Sequence, residues 1–109
     1  MSVMQEVSTL IEKVRGKPEL LAQVSSMNKT FQFDLEGGEK FFVKLENGDI
    51  VQGEGTVDSP SATIQAAPDL MLDLMTGKAD AIKSFMSGKL KVRGDIFAAQ
   101  KITDMFRKA

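Results

Sequence analysis

Phe31-Gln32-Phe33-Asp34-Leu35-Glu36 is the stretch that decides the fold. Phe31, Phe33 and Leu35 alternate with Gln32, Asp34 and Glu36, and a period of two sets the apolar side chains on one face of an extended strand and the polar ones on the other. One face therefore belongs to a core and the other to water. After it, Gly37-Gly38 turns the chain into a second strand at 40–46, Asn47-Gly48 makes the next reversal, and a third strand returns over 50–55. An antiparallel meander results. Further on, the turn-forming run Asp58-Ser59-Pro60-Ser61 introduces a fourth strand at 62–66, and a fifth is expected at 89–93. Gly53 and Gly55 lack the strand-loop-helix and Gly-Lys-Ser/Thr context of a phosphate loop, and mark a bulge or a close approach.

Helical patterns surround the strands. Val3, Val7, Leu10, Ile11 and Val14 form one apolar stripe, with Ser2 placed to cap it and Gly16 to end it. Pro18 opens a second short helix over 18–25 that turns Leu20, Leu21 and Val24 inward. Core packing accounts for this pair; docking of the first helix on a membrane is the alternative, weakened by a polar face of mixed sign. Pro68 and Asp69 begin a helix with Leu70, Met71, Leu74 and Met75 inside, and Gly77 stops it. Asp80 caps another that carries Ile82, Phe85 and Met86, and Gly88 ends that one. Finally Asp95 caps a helix with the apolar stripe Ala98, Ala99, Ile102, Met105 and Phe106. Since one face of each strand is polar, helices should cover only the other. The expected fold is α+β: a five-stranded mixed sheet covered on one face by about five helices, in a single domain over residues 1–109.

Composition narrows the chemistry. With 109 residues, 42% apolar, 27% charged and a net charge of -1, the chain has room for one modest core and no nucleic-acid footprint. No apolar run approaches the roughly 18 residues that span a bilayer. The N-terminus lacks signal-peptide regions and Arg107-Lys108-Ala109 is not a peroxisomal address, so a cytoplasmic monomer is expected. There is no His, Cys or Tyr. A Ser-His-Asp triad, a His- or thiolate-bound metal and a general base poised near neutral pH are thereby excluded. Only carboxylates, Lys and hydroxyls remain. Binding is favoured over catalysis, with no catalytic residue, metal or cofactor assigned.

Four segments resemble the sterol carrier protein type-2 domain, in order along essentially the whole chain: Phe31-Gln32-Phe33-Asp34-Leu35, Leu45-Glu46-Asn47-Gly48, Leu72-Asp73-Leu74-Met75-Thr76-Gly77-Lys78 and Phe85-Met86-Ser87-Gly88-Lys89-Leu90-Lys91-Val92-Arg93-Gly94-Asp95. The last is the most specific. The resemblance implies a hydrophobic tunnel between sheet and helices that takes sterols, fatty acids, fatty acyl-CoA or phospholipids, without catalysis. Many eukaryotic members carry a peroxisomal address and some are fused to enzymes; this chain is expected to stand alone. Its partners would be the lipid or fatty acyl ligand, with a transient membrane surface or acyl-processing enzymes, and no nucleic acid.

Seven Met residues give that cavity an adaptable lining, with Met71, Met75, Met86 and Met105 on inward faces. Helical spacing alone would make such a stripe ordinary core. Under the resemblance, the expected lining is Phe33, Leu35, Val43, Ile64, Leu74, Met75, Phe85, Met86, Leu90, Ile102, Met105 and Phe106. Two other functions stay open: a carboxylate-dependent enzyme on an acyl or steroid substrate, for which a buried Asp34 would be the sign, and a protein-interaction domain whose own side chains fill the cavity. Lys89, Lys91 and Arg93 on the last strand either protect a sheet edge or meet phosphates of an acyl-CoA or phospholipid surface.

Overall fold

The computed structural model describes residues 2–24 and 26–109. Its elements are α1 (Val3–Arg15), α2 (Pro18–Val24), β1 (Lys29–Leu35), β2 (Lys40–Glu46), β3 (Asp49–Glu54), β4 (Ala62–Ala66), α3 (Pro68–Thr76), α4 (Ala81–Met86), β5 (Lys91–Gly94) and α5 (Ile96–Lys108). Ser25, expected as the end of the second helix, lies outside the described residues. The five strands form one mixed sheet in the order β3-β2-β1-β4-β5. Among the described residues β1 and β4 are the parallel pair, with Phe31 beside Ala62, Phe33 beside Ile64 and Leu35 beside Ala66.

The alternation of β1 fixes the inner face. Phe31, Phe33 and Leu35 are buried, as are Phe41, Val43 and Leu45 of β2 and Ala62, Ile64 and Ala66 of β4. Phe33 and Phe41 are register partners and stack with ring centroids 5.0 Å apart and planes 8° from parallel. Such a pair adds to its area burial and anchors the middle of the sheet. Gly53 answers to the close approach expected of it, because a Cβ there would lie 2.2 Å from Cζ of Phe42, whose ring covers the glycine across the strand pair.

Local caps begin the helices where the sequence places them. Ser2 Oγ accepts from Gln5 N at 3.1 Å while Gln5 Oε1 accepts from Ser2 N at 3.2 Å, a reciprocal capping box. Asp80 caps α4 through Lys83 N, and Asp95 caps α5 through Ala98 N. Buried Val3, Val7, Ile11 and Val14 turn α1 toward the core. Gln52 Nε2 donates to Met4 O at 3.1 Å, which ties that helix to β3. The C-terminal helix α5 packs on β4 and β5 and against α1, α2 and α3. Among the described residues no helix is long and apolar enough to cross a membrane.

Two local expectations change. The last strand starts at Lys91 rather than Lys89, because Lys89 N and Leu90 N both donate to Ser84 O at 3.0 Å and close the end of α4 before pairing with β4 begins. Gln32, expected on the wet face, is only 3% exposed. Its Nε2 donates to Phe41 O at 3.2 Å and Gly55 O at 3.1 Å, and its Oε1 accepts from Val57 N at 3.0 Å. The connection from β3 to β4 thus crosses β1, where the Gln32 amide holds Gly55 and Val57 and Ser61 pairs with Thr30.

Candidate functional site

Between β4, β5, α3, α4 and α5 the fold leaves a cavity of about 740 Å³, inside the usual range of roughly 300–1,000 Å³ for small-molecule sites. Ile64 of β4, with Leu90 and Val92 at β5, forms the sheet side. Met71, Leu74 and Met75 of α3 form a wall, and the turn Gly77, Lys78, Ala79, Asp80 and Ala81 leads from it to Ile82 and Phe85 of α4. Opposite, α5 contributes Ile96, Ala99, Gln100, Thr103, Asp104 and Arg107.

Polarity is sorted by depth. The buried lining residues Ile64, Met71, Leu74, Met75, Leu90 and Ala99 are all apolar. Lys78, Asp80, Gln100 and Arg107 are exposed, while Thr103 and Asp104 are half-buried. Most of these polar groups are engaged locally: Asp80 caps α4, Thr103 Oγ1 donates to Ala99 O at 2.9 Å, and Arg107 Nη2 sits 3.2 Å from Asp104 Oδ1. Gly77 makes room for that arginine. Its φ is +82°, and a Cβ there would be 3.2 Å from Cγ of Arg107, so the left-handed turn and the arginine stem share the same space. Lys78 forms no ion pair among the described residues.

Beside the mouth, Asp95 holds the start of α5. The Ala98 N–H, and after it the Lys29 ammonium, keep its carboxyl below the ordinary value of 3.8. Asp34, the carboxylate on which an enzymatic reading would rest, lines no part of the cavity. It alternates away from the inner face, is half-buried, and accepts from Gln32 Nε2 at 3.1 Å.

Of the twelve residues expected to line a cavity, Ile64, Leu74, Met75, Phe85 and Leu90 do so. Phe33, Leu35 and Val43 lie instead in the closed core of β1 and β2, away from the β4–β5 side where the cavity opens. Ile102, Met105 and Phe106 are also closed core, at 0%, 0% and 1% exposure. Here the helix period explains the difference. The heavy apolar stripe of α5 packs between sheet and helices, while the neighbouring stripe 96, 99, 100, 103, 104 and 107 faces the cavity. That second face has helical spacing too, but its mixed polarity gave no hydrophobic signal.

Met86 departs furthest, being 80% exposed and outside the lining. Ser84 is the buried residue of α4, and two positions on, about 200° around the helix, Met86 points outward. Met71, Val92, Ala99 and the residues of the Gly77–Ala81 turn were missing from the expected lining. For Met71 the spacing with Leu74 and Met75 was a usable signal.

Comparison with known proteins agrees with this architecture. The model of the SCP-2 sterol transfer family matches residues 7–107. Sterol carrier protein 2 of Arabidopsis thaliana is 29% identical over 98 residues, covering 89% of this chain and 77% of that protein. Peroxisomal multifunctional enzyme A of Dictyostelium discoideum is 30% identical over 93 residues, which are 85% of this chain but 19% of that enzyme. The chain thus spans about a fifth of the length of that longer relative. Among solved structures, palmitated SCP2L2 from Aedes aegypti superposes with a TM-score of 0.68 at 21% identity, covering 97% of this chain and 95% of that one. At that identity the likeness concerns the fold.

Proposed function

This chain belongs to the SCP-2 sterol transfer family, and from that we propose that it binds and transfers lipids without catalysis, holding them in the cavity between β4–β5 and α3–α5. Fatty acids, fatty acyl-CoA, sterols and phospholipids are the candidate classes. One observation carries the proposal: every buried residue of the lining is apolar, and its charged and polar side chains are exposed or half-buried. An acyl chain can therefore lie inside while its head group meets Lys78 and Arg107 outside. The palmitated state of the Aedes aegypti protein supports acyl chains as a first class to examine. Two of the methionines in the wall, Met71 and Met75, are unbranched and polarizable, which suits ligands of varied shape.

Magnitudes agree. Each buried methylene is worth about 0.8 kcal/mol, so some fifteen of them set an upper bound of about 12 kcal/mol. Ordering the ligand and losing its free motion cost several kcal/mol, which leaves micromolar to nanomolar affinity. On this reading the protein works as a cytoplasmic monomer that carries its ligand between membranes or to acyl-processing enzymes. That the Dictyostelium relative is a longer enzyme supports the second use.

Native mass spectrometry of gently purified protein, with lipid extraction and titration of a fluorescent fatty acid, tests the proposal. Co-purified lipid, or one-to-one uptake at micromolar concentration or below, is the expected result. Protein that is consistently lipid-free and takes up no fatty acid would sink it.

A further inference from the structure

Large apolar side chains stand exposed at six described positions, and five of them, Ile82, Phe85, Met86, Ile96 and Phe97, belong to α4 and the first turn of α5. Ile82, Phe85 and Ile96 line the cavity at its mouth, with exposures of 66%, 46% and 49%. Met86 and Phe97, next to them in sequence, are 80% and 81% exposed. Singly exposed apolar residues need no explanation, but five on two short segments, three of them lining one opening, do.

Charge is gathered on the same segment. Between Lys78 and Lys101 the chain carries six Lys and Arg against two Asp, a net charge of +4 in a protein whose total is -1. Both acids are already used: Asp80 and Asp95 cap helices, and Asp95 also pairs with Lys29. None of the six cations takes part in an ion pair among the described residues.

We propose that the cavity mouth is a docking face for an anionic lipid surface, with Ile82, Phe85, Met86, Ile96 and Phe97 entering the interface and Lys78 of the lining, Lys83 of α4 and Lys101 of α5 meeting its head groups. It rests on the reading of the cavity as a lipid site. Apolar side chains that reach the acyl boundary and cations that sit at the head groups are the two terms that hold a protein on such a surface. The arrangement also gives the cavity a dry approach. A ligand leaving the acyl region would pass from Phe85 and Ile96 to the buried wall without crossing water. Protection of an edge strand explains Lys91 and Arg93 but not the exposed aromatic and aliphatic side chains beside them.

Flotation of the full chain on vesicles tests the docking face. Wild-type protein should float with phosphatidylcholine vesicles containing about one third phosphatidylserine, float less with phosphatidylcholine alone, and be released in about 1 M salt, where the Debye length is about 3 Å. Phe97→Ser should lower partition to both vesicles roughly tenfold, and Met86→Ser should act in the same direction. Replacing Lys83 and Lys101 with Gln should weaken binding to anionic vesicles about fivefold per charge. Val51→Ser, at the sixth exposed large apolar position among the described residues, serves as the control and should change nothing. None of these side chains lines the cavity, so each variant should take up fluorescent fatty acid from solution as wild type does. Wild-type protein that stays with neither vesicle, or Phe97→Ser and the Lys83/Lys101 double-Gln variant that float normally, would overturn the docking face. So would a concentration-dependent dimer lost in Phe97→Ser, which would assign the patch to a second copy. Uptake without flotation removes the docking face and leaves the lipid cavity; flotation without uptake supports the face and counts against the cavity.

Discussion

Lys29 Nζ lies 2.9 Å from Asp95 Oδ2 and joins the first residue of β1 to the cap of α5. Through Oδ1 the same carboxylate accepts from Ala98 N at 3.0 Å. One charged group therefore fixes both the start of the C-terminal helix and its place against the sheet, next to the cavity mouth.

The pH dependence of that contact has a definite sign. The Asp95 carboxyl is held below its ordinary value of 3.8, first by the Ala98 N–H and then by Lys29. Its contribution to stability is thus fully present above pH 3.8 and is lost as pH falls through the lower folded-state value. Asp95→Asn keeps a good capping side chain and removes the charge. Thermal melts should show wild type more stable than this variant near neutral pH, with a gap that narrows under acid and in high salt, since both partners are part-exposed. A gap independent of pH would contradict the assignment.

Gln32 should matter far more than a surface glutamine. Gln32→Leu leaves Phe41 O, Gly55 O and Val57 N without their side-chain partner. Each such group costs about 1–3 kcal/mol when it stays buried, so a total loss of roughly 2–4 kcal/mol in a denaturant melt is expected. Protease cleavage should rise within residues 55–61. Gln32→Glu, which keeps the acceptor for Val57 but sets a buried carboxylate oxygen against Phe41 O, Gly55 O and Asp34 Oδ1, should destabilise at least as much as Leu at neutral pH.

Ala99 and Met105 share one helix and should behave as opposites. Ala99 lines the cavity and is 4% exposed, so Ala99→Trp projects an indole into space the ligand would take. Fatty-acid uptake should weaken at least tenfold, with stability changed by no more than about 1–3 kcal/mol. Met105 is fully buried outside the lining, and Met105→Ala should cost about 2–5 kcal/mol of stability while leaving ligand affinity per folded molecule unchanged. Denaturant melts paired with fatty-acid titration read out both.

What the chain reveals about itself is mostly local. Alternation at Phe31, Phe33 and Leu35, the Asn47-Gly48 reversal, and the caps at Ser2, Asp80 and Asp95 depend on neighbours a few residues away, and the structure has them all. The burial of Gln32 was not legible, because it depends on where the connection from β3 crosses the sheet. The same holds for α5. Its apolar stripe shows which side chains are buried, but packing within the fold decides whether they meet core or cavity. Ile102, Met105 and Phe106 meet core, whereas the plainer Ala99 and Thr103 face the open space. Met86 shows a third limit: a six-residue helix whose end folds back onto Ser84 is oriented by that closure more than by its own apolar residues.

Methionine methyl groups give the most direct test of the lipid cavity. With all seven Met labelled at the methyl carbon, palmitate can be titrated into delipidated protein and followed by NMR. Met71 and Met75 line the cavity, whereas Met4, Met27, Met86 and Met105 do not. The account predicts saturable, one-to-one shifts largest at Met71 and Met75. No shift at any methionine, or shifts confined to those outside the lining, would contradict it.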